Sequence, residues 1–219
     1  MTESEWLACK DPGPMLEFLR GKVSDRKLRL FCVGCCRQIW HLLGDDQKRA
    51  LVEVAEKYAD ELVNEAELAS SFYDAKELLV KNYRYDSSDL AVFYTLWPSI
   101  DKNEEAAGLY PPVGVADAAV TLAILEGVET AAREKQSELV RCVFSNPFKP
   151  VAFNPTWRTS TVVEVAQGIY QERAFERLPV LGDALEEAGC SSPEILDHCR
   201  SEGVHVRGCF VVDGVLARE

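Results

Sequence analysis

Two stretches of the chain gather the side chains best suited to bind a metal or attack a substrate. The first, LFCVGCCRQIWH, runs from Leu30 to His41 and carries Cys32, Cys35, Cys36 and His41. The second, DHCRSEGVHVRGC, runs from Asp197 to Cys209 and carries His198, Cys199, His205 and Cys209. Together they hold all 3 histidines of the chain and most of its 8 cysteines. Zinc takes four thiolate or imidazole ligands in a tetrahedron. On a helix, Cys32 and either Cys35 or Cys36 face the same side at one-turn spacing, so that face can offer two thiolates. One expectation is therefore a zinc site shared between the stretches, with ligands drawn from Cys32, Cys35, Cys36, His198, Cys199, His205 and Cys209. Zinc knuckles place CxxC in a tight turn, whereas Cys32-x-x-Cys35 falls on a helix, and neither His198-Cys199 nor His205-x3-Cys209 has a diagnostic spacing; packing or capping roles for the same residues stand beside the metal reading.

Other chemistries place stricter demands on these residues. A dithiol oxidoreductase would use Cys32-x-x-Cys35, but such enzymes set the nucleophilic thiol at a helix N-terminus, where the dipole lowers its pKa. Here the motif falls about two turns inside its helix. A cysteine hydrolase would need Cys199 beside His205, with Asp197 or Asp213 orienting the imidazole. The acidic pairs Asp45-Asp46, Glu104-Glu105 and Glu186-Glu187 are helix neighbours about 100° apart and belong to solvated faces or helix starts. Phosphate-binding glycine loops, HExxH and GxSxG do not occur.

The elements that must position these residues read as helices almost throughout. Ser24 caps a helix whose apolar positions Leu28, Phe31, Cys32, Cys35, Ile39 and Leu42 recur at three- and four-residue steps up to Gly44. A short helix around Pro14 precedes it. Another starts at Asp45, and Asn64 caps the one after that. A short helix through Leu90 and Phe93 stops near Pro98. The stretch SIDKNEEAAGLYPPVG reads as a loop. An alanine-rich helix follows from about Val115, continuing with a bend at Gly127 to Phe144. SNPFKPVAFNPTW, with Pro147, Pro150 and Pro155, interrupts any helix. Helices then follow from Thr159 or Ser160, through RLPVLGDALEEAG to Gly189, and from Ser192 with Pro193 in its first turn. VRGCFVVDGV suits a strand by composition, but its neighbours favour a terminal helix. The fold expected is an all-α multi-helix bundle, either one domain over 1–219 or two parts, 1–145 and 146–219, joined by the Pro-rich stretch. Trp6, Trp40, Trp97 and Trp157 all stand near element ends, where they anchor loops.

At 219 residues, 47% hydrophobic and 27% charged, the chain can bury a substantial core without a staple. Its start, MTESEWLACKDPGP, lacks the basic and apolar regions of a secretory leader, so the expectation is a cytoplasmic protein with reduced thiols. VGVADAAVTLAILEGV is too short and too interrupted to span a bilayer. A net charge of -12 opposes nucleic-acid and anionic-membrane binding. The basic run Arg20, Lys22, Arg26, Lys27, Arg29 and Arg37 is expected to pair with acidic helices of the same chain or to be solvated.

Three sets of residues also carry a resemblance: SEWLACKDPGPMLEFLRGKVSDRKLRLF with CCRQIW; NPFKPV with a following tryptophan; and LPVLGDALEEAGC with ILDHCRSEGVHVRGCFVVD. In these the chain resembles a family of bacterial proteins of uncharacterised activity, which implies a bacterial cytosolic protein and transfers no catalytic residue or cofactor. The leading functional expectation is a non-enzymatic helical module that binds a protein partner. The alternatives are a zinc-binding protein and a cysteine-dependent hydrolase.

Overall fold

The computed structural model describes residues 1–44, 46–81, 87–98, 110–125 and 129–218, and among them it contains twelve α-helices and no strand. The chain divides into two compact units, Met1–Val140 and Arg141–Glu219. The N-terminal unit is built from α1 (Glu3–Ala8), α2 (Pro12–Leu19), α3 (Asp25–Gln38), α4 (Asp46–Ala59), α5 (Glu65–Lys81), α6 (Ser87–Thr95), α7 (Pro111–Leu125) and most of α8 (Glu129–Phe144). The C-terminal unit takes the last turn of α8 and adds α9 (Ser160–Glu172), α10 (Leu178–Glu187), α11 (Pro193–Arg200) and α12 (Phe210–Leu216). The division falls inside α8, ahead of the Pro-rich stretch, because Cys142 belongs to the core formed by Val162, Ile169, Leu181 and Val211.

Local chemistry sets the helix starts. Thr2 Oγ accepts the Glu5 N–H at 3.3 Å while the Glu5 carboxylate accepts the Thr2 N–H at 2.7 Å, a reciprocal box that closes the first turn of α1. Asn64 and Glu67 repeat the arrangement at α5, at 3.0 and 3.1 Å. Ser24 caps α3 and Thr159 caps α9. Helix α7 starts at Pro111, earlier than the spacing suggests, because a proline in the first turn forfeits only an N–H that has no helical partner. Residues 99–109 of the loop expected at 99–114, the bend at Gly127 and the start at Asp45 lie outside the described residues.

In the N-terminal unit α3 packs against α4, α6 and α7, and α6 against α7. The apolar stripe of α3 drives this, with Leu28, Phe31, Cys32 and Cys35 fully buried. The helix ends at Gln38, short of Gly44, and Trp40–Leu42 forms a 3-10 turn. There the Arg37 guanidinium lies 3.9 Å from the Trp40 ring centroid. Charged groups are spent within the unit. Arg26 pairs with Asp60 at 3.4 Å and Arg37 with Glu56 at 3.0 Å. Arg29, buried, donates to the Thr95 and Trp97 carbonyls at 2.9 and 3.0 Å, where α6 runs out of intrahelical donors. Much of the basic run thus neutralises its own neighbours.

In the C-terminal unit α9 packs against α10 and α12, and α10 against α11. Gly189, at φ +89°, follows α10 in the left-handed conformation that a glycine adopts without strain. The segment VRGCFVVDGV folds as helix from Phe210, which buries Val211, Val212 and Val215 together. Gly214 faces Phe153 so closely that a Cβ there would enter the phenyl ring. Trp157, half-buried, packs on this core, and Arg158 next to it donates to the Val215 carbonyl at 2.7 Å. Among the described residues no helix is long and apolar enough to cross a membrane.

Candidate metal centre

Four side chains converge in the C-terminal unit: Cys142, His198, His205 and Cys209, whose ligand atoms all lie within 4.8 Å of one another. Cys142 comes from the last turn of α8. His198 comes from α11, whose buried stripe of Ile195, Leu196 and Cys199 leaves its ring half-buried on the flank. After Arg200 the chain reverses, and Ser201 Oγ closes the helix end by donating to the His198 carbonyl at 2.8 Å. His205 folds back from the connecting loop. Gly208, at φ +90°, then turns the chain so that Cys209 becomes the N-cap residue of α12. A helix flank, a helix start and the loop between them thus supply three groups, and α8 supplies the fourth.

The distances suit a small tetrahedral ion. His198 Nε2 is 3.2 Å from Cys209 Sγ, and His205 Nδ1 is 3.7 Å from Cys142 Sγ. Zinc bonds of about 2.3 Å to sulfur and about 2.0 Å to nitrogen place tetrahedral neighbours about 3.5 Å apart, between those two values. The imidazoles meet edge to face, with centroids 4.8 Å apart and planes at 90°, so their nitrogens approach the centre from different directions. Phe210 covers the His198 ring at 4.5 Å between centroids. His205 Nε2 lies 3.3 Å from the Ser201 carbonyl oxygen, which can only accept. That bond keeps a proton on Nε2, so Nδ1 is the nitrogen that faces the thiols and would bind a metal once it gives up its own proton, as histidine ligands are commonly held by their outer partners.

The electrostatics point the same way. Burial by itself would push the Cys209 thiol up. The Cys142 hydrogen bond, the nearby His198 charge and hydrogen bonds from both imidazoles outweigh it and hold Cys209 well below its ordinary value. For His205, burial disfavours the imidazolium, but the hydrogen bond and charge of Cys209 and the Ser201 carbonyl raise it overall. Without a metal, thiolate and imidazolium therefore support each other. A divalent cation at the centre would replace the proton's positive charge and meet the Cys209 sulfur already disposed to ionise. This cluster can hold a metal ion, and among the described residues it is the one group of three or more potential ligands.

Of the residues singled out in the sequence, His198, His205 and Cys209 come together here. Cys32, Cys35, Cys36 and Cys199 are not members. The first three lie on α3 in the N-terminal unit, wholly buried. Burial raises the Cys32 and Cys35 thiols and pushes Cys36 up to about 11, with Cys36 Sγ 3.4 Å from Thr95 Oγ1. Such thiols are protonated fillers of an apolar stripe. His41 sits exposed in the 3-10 turn. Cys199 faces α10, where a Cβ on Gly182 would stand 2.9 Å from its own Cβ, and burial pushes its thiol up to about 12. That is a poor nucleophile; Asp197 is exposed and Asp213 buried. The member that sequence reasoning missed is Cys142. Its one visible cue is a cysteine on the last helical turn before a proline-rich break.

A second polar cluster lies in the N-terminal unit, where Lys48 Nζ stands 2.6 Å from Ser88 Oγ and 2.7 Å from Asp89 Oδ1. Its composition suggests a serine-lysine dyad. The ammonium is paired with a carboxylate, however, so it has no lone pair to take the Ser88 proton, and all three groups are buried. It is an internal tie between α4 and α6. No protein-family model matches the chain, and comparisons with curated proteins and with solved structures found no significant match.

Proposed function

We propose that the C-terminal unit is a zinc-binding module in which Cys142, His198, His205 and Cys209 hold one ion, and that the ion is structural. The carrying observation is the meeting of two thiols and two imidazoles from α8, α11, the following loop and the start of α12 within 4.8 Å. Two soft sulfurs with two imidazoles favour zinc over magnesium or calcium, which take oxygen ligands. Four protein ligands complete a tetrahedron and leave no position for an activated water, so the ion acts by joining elements. Metal content of the untagged full chain, purified without chelator, tests the reading by mass spectrometry. One zinc per chain is expected, with a large loss in both Cys142→Ser and His205→Gln. A wild-type chain with no bound metal that takes up none on zinc addition would refute it.

A second reading concerns the N-terminal unit as a protein-binding surface. It is supported by the exposure of Leu62, Tyr73 and Val80, at 72%, 64% and 66%, on or just before α5. Apolar side chains left this open are candidates for burial by a partner. Affinity capture with the wild-type chain and with Tyr73→Asp/Val80→Asp tests it. A protein lost specifically by the variant is expected, and an identical captured set would count against the surface.

A further inference from the structure

We infer that the centre is a peroxide-sensitive switch, in which Cys142 and Cys209 join as a disulfide and the metal leaves. This inference rests on the zinc reading above. Its basis is the placement of the two sulfurs. Both belong to the group whose ligand atoms all lie within 4.8 Å of one another. A disulfide needs sulfurs at about 2.05 Å, so the two have less than about 3 Å to close. The other thiols of the unit are less well placed for the reaction. Cys199 packs against Gly182 of α10, away from the group, whereas Cys142 and Cys209 would be thiolates when bound to zinc. The two imidazoles are half-buried while both sulfurs are buried, so the imidazoles are the members of the group nearest solvent.

The chemistry balances with hydrogen peroxide as the oxidant. One thiolate attacks a peroxide oxygen, the O–O bond breaks, and a sulfenic acid forms as hydroxide departs. The second thiolate attacks the sulfenic sulfur, the S–S bond forms and a second hydroxide leaves. Two thiolates have lost two electrons, peroxide has gained two, and two protons convert the hydroxides to water. The zinc ion, left with two imidazoles, is released as the divalent cation. The disulfide keeps the end of α8 tied to the start of α12, so the packed core is retained. The loop from Ser201 to Val206 loses its one histidine anchor, His205, and His198 at the end of α11 is freed beside it. Its far end stays fixed, because Arg207 donates to the Tyr170 and Gln171 carbonyls at 3.0 and 3.1 Å. The switch thus has a local output, the release of one short loop.

The test uses the full zinc-loaded chain, titrated with hydrogen peroxide. A chromogenic chelator follows free zinc, and peptide mapping under non-reducing conditions identifies the crosslink. Zinc release in equal proportion to a Cys142–Cys209 disulfide is expected, reversed by thiol reductant with added zinc. The Cys199→Ala/Cys190→Ala variant should respond like wild type. Retention of zinc under peroxide, or release with a crosslink to Cys199 instead, would overturn the switch and leave the structural zinc reading standing. A chain that binds no zinc beforehand would defeat that underlying reading as well.

Discussion

Removing zinc from the full chain with a strong chelator should loosen α11 and α12 while leaving α3 and α4 protected. The magnitude follows from linkage. An ion that binds only the folded state stabilises it by RT ln(1 + [Zn]/Kd), about 4 kcal/mol when free zinc exceeds Kd a thousandfold. For a unit spanning Arg141–Glu219, each kcal/mol moves the melting midpoint by about 4–8 °C, so the expected drop is about 15–30 °C. The structure says where that loss should appear. The four candidate ligands lie at the end of α8, on α11, in the loop after it and at the N-cap of α12, whereas none lies in α3 or α4. Peptide-resolved hydrogen exchange, with and without chelator, reads both regions in one sample. Trp157 fluorescence gives an independent report, because the other three tryptophans belong to the N-terminal unit. Equal protection of 193–216 in the two states, or a midpoint shift under about 2 °C, would refute a structural ion.

Two further perturbations separate packing from propensity and charge. Gly214→Ala should destabilise the chain by about 1–3 kcal/mol in urea denaturation, since its Cβ would enter the Phe153 ring. Helix propensity alone predicts a gain of about 1 kcal/mol, so the sign of the change decides between them. The α3 thiols should make stability fall at alkaline pH. Cys36, pushed up by burial to about 11 against an ordinary value of 9.0, stays protonated in the folded chain while its unfolded counterpart ionises. Its contribution is intact below pH 9 and is lost as pH rises towards 11, at about 1.4 kcal/mol per unit. Cys36→Ala should flatten the slope of unfolding free energy against pH in that window, whatever it does to absolute stability. An unchanged slope would contradict the burial account.

The helices and most of their limits were legible in the sequence, because they depend on neighbours a few residues apart. Ser24, Asn64, Thr159 and Gly189 act locally, and the apolar steps of α3 or α9 repeat at a period that composition reveals. His198, His205 and Cys209 were legible as candidate ligands for the same reason: one helix end and one loop carry all three. The strand-like composition of VRGCFVVDGV was settled only by packing, where helical spacing brings Val211, Val212 and Val215 into one core and Gly214 admits Phe153. The α3 cysteines show the opposite limit, since close spacing suggested chemistry where burial leaves protonated thiols. Cys142 marks what only the tertiary structure decided. It stands 63 residues before His205, with the Pro-rich stretch and three helices between them, and no local rule reaches across that distance. The packing of the α8 end into the C-terminal core carries its sulfur to the two imidazoles and to Cys209, and so turns three candidate ligands into a group of four that could hold a metal ion.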